Sequence, residues 1–107
     1  DGAKSLGGMS LGAGITYFSV GPLHSYLKDQ GAVQYSSATD KEMLEAYKII
    51  AQTEGICSAL EPMAAAAEII FRQAKDKPKD YIICLSLCGR GEKDLDTIQE
   101  HIGKDFE

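Results

Sequence analysis

The sequence predicts an α/β fold, a parallel βαβαβα segment arranged as a three-layer sandwich, and two observations lead to this prediction. Residues 81–87, YIICLSL, form an almost unbroken apolar run, which suits a strand buried between two layers of helices. Upstream of this run, helical and extended patterns alternate, and this order implies right-handed crossovers between parallel strands. A loop that contains two glycines, residues 88–91, would then lie at the carboxyl end of the central strand, where open α/β sheets bind ligands.

The first half of the chain has clear helix start and stop signals. A short helix is expected to begin at Pro22 and end at Gly31, with an apolar face formed by Leu23, Tyr26 and Leu27. Residues 33–37 are predicted to be a short strand. A second helix follows, because Thr39 and Glu42 have the spacing of a capping box and Gly55 supplies the end. Its apolar stripe consists of Met43, Leu44, Tyr47, Ile50 and Ala51.

The second half continues the alternation. Residues 56–60 are predicted to be a strand stub or an extended link. A third helix is expected to begin at Glu61-Pro62, with an inward face of Met63, Ala67, Ile70, Phe71 and Ala74. Residues 76–80 form a polar loop that contains a proline, and Asp94 is expected to cap a last helix. That helix carries Leu95, Ile98 and Ile102.

The 107 residues are expected to form one domain, or a piece of one, with residues 1–18 as a glycine-rich loop and residues 19–107 as the α/β segment. Two or three strands are few for an independent sheet domain, so we expect the chain to be part of a larger α/β unit. If produced alone, it should be marginally stable or associate through an exposed sheet edge. A start at Asp1 rather than at a methionine also suggests a cut piece or a processed product.

Composition excludes several classes of function. A net charge of −5 and an isoelectric point of about 5.0 argue against nucleic acid as the main partner. No apolar stretch approaches the roughly 18 residues of a membrane span, and the first residues lack the apolar core of a signal peptide. The cysteines, Cys57, Cys84 and Cys88, match no zinc ligand set, and free thiols fit a reducing compartment such as the cytosol. Cys57 and Cys84 are interpreted as small core residues.

Two residues stand out as candidates for chemistry. Glu61 and Cys88 are each predicted to follow a strand in neighbouring βα units, so both could face one crevice. Glu61 is equally explained as a carboxylate that the dipole of its own helix stabilises. Cys88 is either a nucleophile with a lowered pKa or part of a plain strand-to-helix turn, and neither His24 nor His101 is close in sequence.

Four blocks of the sequence together resemble the C-terminal stretch of the tryptophan synthase β chain. They are residues 19–27 (SVGPLHSYL), 39–46 (TDKEMLEA), 54–61 (EGICSALE) and 89–94 (GRGEKD), in the family's order and at about its spacing. The resemblance implies part of the larger domain of a fold-type-II enzyme that depends on pyridoxal phosphate. Such an enzyme joins L-serine and indole into L-tryptophan by β-replacement. The implied partners are the rest of the β chain, a tryptophan synthase α chain and a second β chain, in the cytoplasm or, for a plant or algal source, a plastid.

The resemblance also assigns roles to residues on the cofactor side. Cys88 takes the place of a serine whose hydroxyl meets the pyridine nitrogen, and Gly89, Arg90 and Gly91 complete the cofactor-binding loop. A thiol is a weaker hydrogen-bonding group than a hydroxyl, so this contact should be weaker. Glu61 matches the family's catalytic carboxylate beside the cofactor.

On the substrate side, the resemblance implies an activating monovalent cation bound by the main-chain carbonyls of Ile15, Tyr17 and Ser19. Tyr17 also matches an aromatic residue that lines the path of indole. The chain departs from the family at Thr16, where an acidic residue is usual, and at Phe18, where a proline is usual.

A further departure is Pro62-Met63-Ala64, which replaces Ser-Ser-His. The family's Schiff-base lysine and phosphate-binding loop lie upstream of the resembling stretch, so the piece alone is predicted to be inactive. Two alternatives stay open. One is a related pyridoxal-phosphate enzyme with another β-replacement substrate, and the other is a non-catalytic α/β module that acts through protein association.

Overall fold

The computed structural model describes residues 10–15 and 20–102. Within these ranges the chain forms four α-helices, α1 (Pro22–Asp29), α2 (Asp40–Glu54), α3 (Glu61–Glu68) and α4 (Leu95–Ile102). A π-helical turn, Ile69–Gln73, continues α3, and 3-10 turns form at Ala13–Ile15 and Gly91–Asp94. None of the helices in this part of the chain is both long enough and apolar enough to cross a membrane.

The prediction of a parallel βαβαβα sandwich is wrong, because the described ranges contain helices and no strand. Residues 33–37 and 81–87, which were predicted to be strands, have no regular structure. Residues 56–60, which were predicted to be a strand stub or an extended link, form a link without regular structure. A strand exists only where a neighbouring backbone accepts and donates its hydrogen bonds. Residues 34–38 and 84–86 lie along the same groove beside α3, and no backbone hydrogen bond joins them.

The apolar run 81–87 is not buried, contrary to the prediction. Ile82 is 84% exposed and Tyr81 is 54% exposed. The Tyr81 N–H donates to the carbonyl of Pro78, but no backbone hydrogen bond to the rest of the described chain is found for residues 82–89. Cys57 and Cys84, predicted to be core residues, are also exposed.

Helix α2 forms as predicted. The Thr39 hydroxyl accepts a hydrogen bond from the Glu42 N–H at 3.1 Å, and the Glu42 carboxylate accepts one from the Thr39 N–H at 2.9 Å. These two bonds make a complete capping box. Gly55 ends the helix with a φ of 69°, a conformation that glycine adopts without steric cost.

The core lies between α2 and α3, with α4 packed against α2. Small alanine side chains on the facing surfaces allow the two helices to approach closely. The buried cluster consists of Met43, Ala46, Tyr47, Leu60, Met63, Ala66, Ala67 and Ile98. Helix α1 contributes no buried residue, and the predicted apolar face at Leu23 and Tyr26 is 65% and 61% exposed.

Candidate functional site

The candidate site lies around the first residue of α3, where three segments distant in sequence meet. They are the Ala13–Ile15 turn, the start of α3 at Glu61, and the Gly91–Asp94 turn that follows the 88–91 loop. Hydrogen bonds to side-chain carboxylates hold these segments together.

Glu61 is the centre of this arrangement. Its Oε1 accepts a hydrogen bond from the Gly14 N–H at 2.8 Å, and the Lys93 ammonium contacts both carboxylate oxygens at 2.8 Å. The hydrogen bond from Lys93, supported by that from Gly14, lowers the pKa of Glu61 even though partial burial opposes the shift. The carboxylate is therefore ionised at neutral pH.

Asp94 links the other two segments. Its buried carboxylate accepts the Leu60 N–H at 2.9 Å and the Lys93 ammonium at 2.8 Å, both on Oδ2. Leu60 immediately precedes α3, so Asp94 satisfies a backbone donor at the start of that helix. The sequence predicted that Asp94 would cap α4, but its observed partners belong to the start of α3 and to Lys93.

The 88–91 loop lies against the segment that precedes α3. A side chain at Gly91 would place its Cβ 2.3 Å from the Cys57 carbonyl oxygen and 2.9 Å from that of Ser58. A Cβ at Gly89 would meet a milder contact, 3.2 Å from the Cβ of Ala59, and the φ of 78° at Gly89 is itself one that favours glycine. Only a residue without a side chain fits at Gly91, so the second glycine of the loop serves close packing of two backbone segments.

The other two residues of this loop, Cys88 and Arg90, are exposed. No hydrogen bond or ion pair joins Arg90 to the described part of the chain, so its guanidinium is available to an external anion. The histidines interact elsewhere, His24 with the Tyr35 hydroxyl at 3.0 Å and His101 with the Thr97 carbonyl at 2.9 Å. These contacts give no support to a Cys–His pair at Cys88.

The predicted cation loop is only partly described. Ile15 closes the Ala13–Ile15 turn by donating its N–H to the Gly12 carbonyl at 3.2 Å, and its side chain is exposed. Tyr17 and Ser19, like Thr16 and Phe18, lie outside the described residues. Because Gly14 bonds Glu61, the beginning of this loop lies beside the carboxylate. No cluster of three or more His, Cys, Asp or Glu side chains suitable for a metal ion occurs in residues 10–15 and 20–102.

The sequence did not identify Gly14, Lys93 or Asp94 as partners of the predicted site. Lys93 appeared only as part of the block of residues 89–94 that resembles the family, without a role of its own. It lies 32 residues from Glu61, and no periodic pattern relates residues so far apart. The adjacent residues Lys93 and Asp94 were the local hint of this ion pair. A lysine next to an aspartate at a helix start can also reach a second carboxylate.

The exposed groups suit one wall of a pyridoxal phosphate site. A free thiol at Cys88 can bond a ring nitrogen, the exposed Arg90 belongs to the same loop, and the ionised Glu61 contacts Lys93 just after it. Lys93 does not fit the role of a Schiff-base lysine. Hydrogen bonds to Asp94 and then to Glu61 raise the pKa of its ammonium, which keeps it protonated.

Several tryptophan synthase beta chains are similar in sequence to this chain over most of its length. The chain is 44% identical over 106 residues to the tryptophan synthase beta chain of Dinoroseobacter shibae. It is 45% identical over 106 residues to that of Ruegeria sp. (strain TM1040), and 48% identical over 96 residues to that of Allorhizobium ampelinum. These alignments cover 99%, 99% and 90% of this chain but 26%, 25% and 23% of the relatives. The chain thus spans about a quarter of the length of the curated relatives it matches. No protein-family model matches it.

Proposed function

Because this chain belongs to the tryptophan synthase beta chain family, as a segment homologous to about a quarter of its length, we propose that it forms one wall of a pyridoxal phosphate site. The site would belong to a longer chain that joins L-serine and indole into L-tryptophan by β-replacement. The segment alone would be inactive.

The meeting of three separate segments supports this proposal most directly. The resemblance assigned roles to Glu61, to the 88–91 loop and to the loop that begins at Ile15, which span most of the sequence. In the fold, Glu61 bonds Gly14 beside Ile15 and bonds Lys93 just after the 88–91 loop. Segments to which the resemblance assigns roles therefore lie in contact with one another, as one shared site requires.

Each residue then has a distinct task. The thiol of Cys88 would hold the ring nitrogen of the cofactor, and Gly91 keeps the loop against residues 57–58. Arg90 offers a positive charge that has no ion pair among the described residues, and the ionised Glu61 would provide a fixed negative charge beside the reacting centre. Pyridoxal phosphate, when bound, supplies the electron sink for β-replacement. The carbonyls of Ile15, Tyr17 and Ser19 bind a monovalent cation, and Tyr17 lines the path of indole.

The proposal includes the setting of the parent protein. The rest of the β chain supplies the Schiff-base lysine, a second β chain and an α chain complete the assembly, and the α chain delivers indole. The enzyme works in the cytoplasm, or in a plastid if the source is a plant or an alga.

A chimera tests the proposal. The aligned quarter of the Dinoroseobacter shibae tryptophan synthase beta chain is replaced by this chain, and tryptophan formation from L-serine and indole is measured. We expect the chimera to make tryptophan. Glu61→Gln should lower its kcat by about a hundredfold, as for the loss of one electrostatic group. Glu45→Gln, an exposed position on α2, is the matched control and should leave kcat unchanged.

A narrower chimera that carries only residues 54–94 keeps the test decisive if the larger replacement does not fold. The proposal is wrong if either chimera melts cooperatively, like the unmodified relative, but forms no tryptophan. Product formation with another nucleophile but not with indole would instead identify a related β-replacement enzyme.

A second candidate function is protein association without catalysis, which the exposed apolar side chains of Tyr81 and Ile82 favour. The same chimera separates the two candidates, because a module without catalytic residues cannot replace part of an active site and retain turnover.

A further inference from the structure

We propose that Lys93 is the positioning residue of this site, which orients Glu61 and fixes the Ala13–Ile15 turn beside the 88–91 loop. Lys93 would touch neither substrate nor cofactor, and it would act through the carboxylate that it holds. The catalytic consequence rests on the proposed function, whereas the effect on Glu61 itself does not.

The contacts of Glu61 leave its side chain little freedom. Lys93 contacts both oxygens at 2.8 Å, and the Gly14 N–H occupies Oε1 from another direction, also at 2.8 Å. Packing is close on the Gly14 side of this contact, since a Cβ at Gly14 would lie 2.9 Å from Oε1 and 3.0 Å from Cγ. A carboxylate held by two groups in this way points in one direction before any ligand arrives, which is the meaning of preorganisation.

Lys93 is itself held by its neighbour. Its ammonium has three donors, and three carboxylate oxygens lie 2.8 Å away, two on Glu61 and one on Asp94. Asp94 is 4% exposed and is fixed in turn by the N–H of Leu60. The buried carboxylate of Asp94 therefore fixes the position of the Lys93 ammonium, although about half of the lysine side chain is exposed.

The charges indicate what removal of the ammonium would do. Glu61 and Asp94 are two carboxylates that share one cation, and a like charge nearby raises the pKa of a carboxyl group. Two further titratable groups belong to this cluster, the phenol of Tyr47 on α2, which interacts with Asp94, and the thiol of Cys57, which contacts that phenol. Burial, and then a hydrogen bond with Cys57, raise the pKa of this phenol to about 12, so it stays neutral. Removal of the Lys93 ammonium would take away the cation that lowers the pKa of Glu61 and would leave the two carboxylates facing each other.

The first test measures the carboxyl group directly. The 107-residue chain is labelled with ¹³C at glutamate, and Glu61 is titrated by NMR, with its signal assigned through Glu61→Gln. We expect Lys93→Met to move the midpoint of Glu61 to higher pH and Lys93→Arg to keep it low, because the arginine retains the charge. The control, Lys79→Met in an exposed loop, should leave the midpoint unchanged. An unchanged midpoint in a folded Lys93→Met chain would overturn the proposal.

A measurement on the unmodified chain covers the case in which Lys93→Met does not fold. The ¹⁵N signal of the Lys93 ammonium should respond to acid with the same midpoint as the Glu61 carboxyl carbon, since protonation of one partner breaks the contact with the other. Separate midpoints would show that the pair is not coupled and would equally overturn the proposal.

The second test concerns catalysis in the chimera described above. Lys93→Met should shift the acid limb of the pH profile of kcat/KM to higher pH, and Lys93→Arg should restore it. A purely structural lysine would lower activity equally at every pH, and that result would contradict the positioning role. If the midpoint of Glu61 moves as expected but the unsubstituted chimera makes no tryptophan, the proposed function fails and the inference about Lys93 stands.

Discussion

At the scale of single residues, Gly91 determines how closely the 88–91 loop approaches the segment before α3. The atoms that a Cβ would meet are backbone carbonyl oxygens, which cannot rotate away as the end of a flexible side chain can. Both segments would have to move apart, and the ion pair of Lys93 with Glu61 would lengthen with them.

We therefore predict that Gly91→Ala lowers the free energy of unfolding by roughly 1–3 kcal/mol, the usual cost of overpacking. The matched control is Gly21→Ala, since Gly21 has an extended backbone with a φ of −65° and no heavy atom within 4 Å of an added Cβ. This control should change stability by less than about 0.5 kcal/mol. Urea unfolding followed by circular dichroism measures both, and equal effects of the two substitutions would contradict the packing argument.

The residues of the site were predictable where a local signal existed. Glu61 and the Cys88–Gly89–Arg90–Gly91 loop stand out through neighbouring residues and through family resemblance. Lys93 and Gly14 were not identified, because each acts by contacting a residue more than 30 positions away. Long-range ion pairs leave no periodic trace in a single sequence, so only the fold reveals them.

At the scale of elements, the helices were predictable and the strands were not, for a physical reason. A helix forms its hydrogen bonds within about four residues, so a capping box at Thr39 and a glycine at 55 are sufficient to locate α2. A strand needs a partner from another part of the chain. Residues 81–87 have the composition of a buried strand, but no segment among the described residues pairs with them.

The capping box provides a prediction at this scale. Thr39→Ala removes the acceptor for the Glu42 N–H and should cost about 1 kcal/mol of stability. The comparison is Thr53→Ala at the other end of α2, where the hydroxyl bonds only to the Ile49 carbonyl of its own helix. That substitution should be neutral or slightly stabilising, because alanine has the higher helix propensity. Thermal unfolding distinguishes the two, and a neutral Thr39→Ala would show that the cap does not stabilise the helix.

At the scale of the whole molecule, the described part of the chain buries one small cluster between α2 and α3 and leaves much apolar surface in contact with water. Ile82, Tyr81, Leu23 and Tyr26 are all more than half exposed. The run that includes Tyr81 and Ile82 is the surface more prone to association. Residues 82–89 make no backbone hydrogen bonds to the described chain, whereas the backbone of α1 forms hydrogen bonds within the helix. Apolar side chains beside free backbone groups favour association between copies.

We therefore predict that the isolated chain self-associates as its concentration rises and that Ile82→Lys suppresses this association. A lysine at an exposed position costs little in the monomer but places a charge in the contact between copies. The control is Val20→Lys, which adds the same charge at a 68% exposed position near α1. Sedimentation velocity across micromolar to millimolar concentrations measures the effect, with circular dichroism to verify equal helix content. A monomeric parent chain would refute self-association itself. Equal suppression by both lysines would show that residues 81–87 do not specifically form the contact.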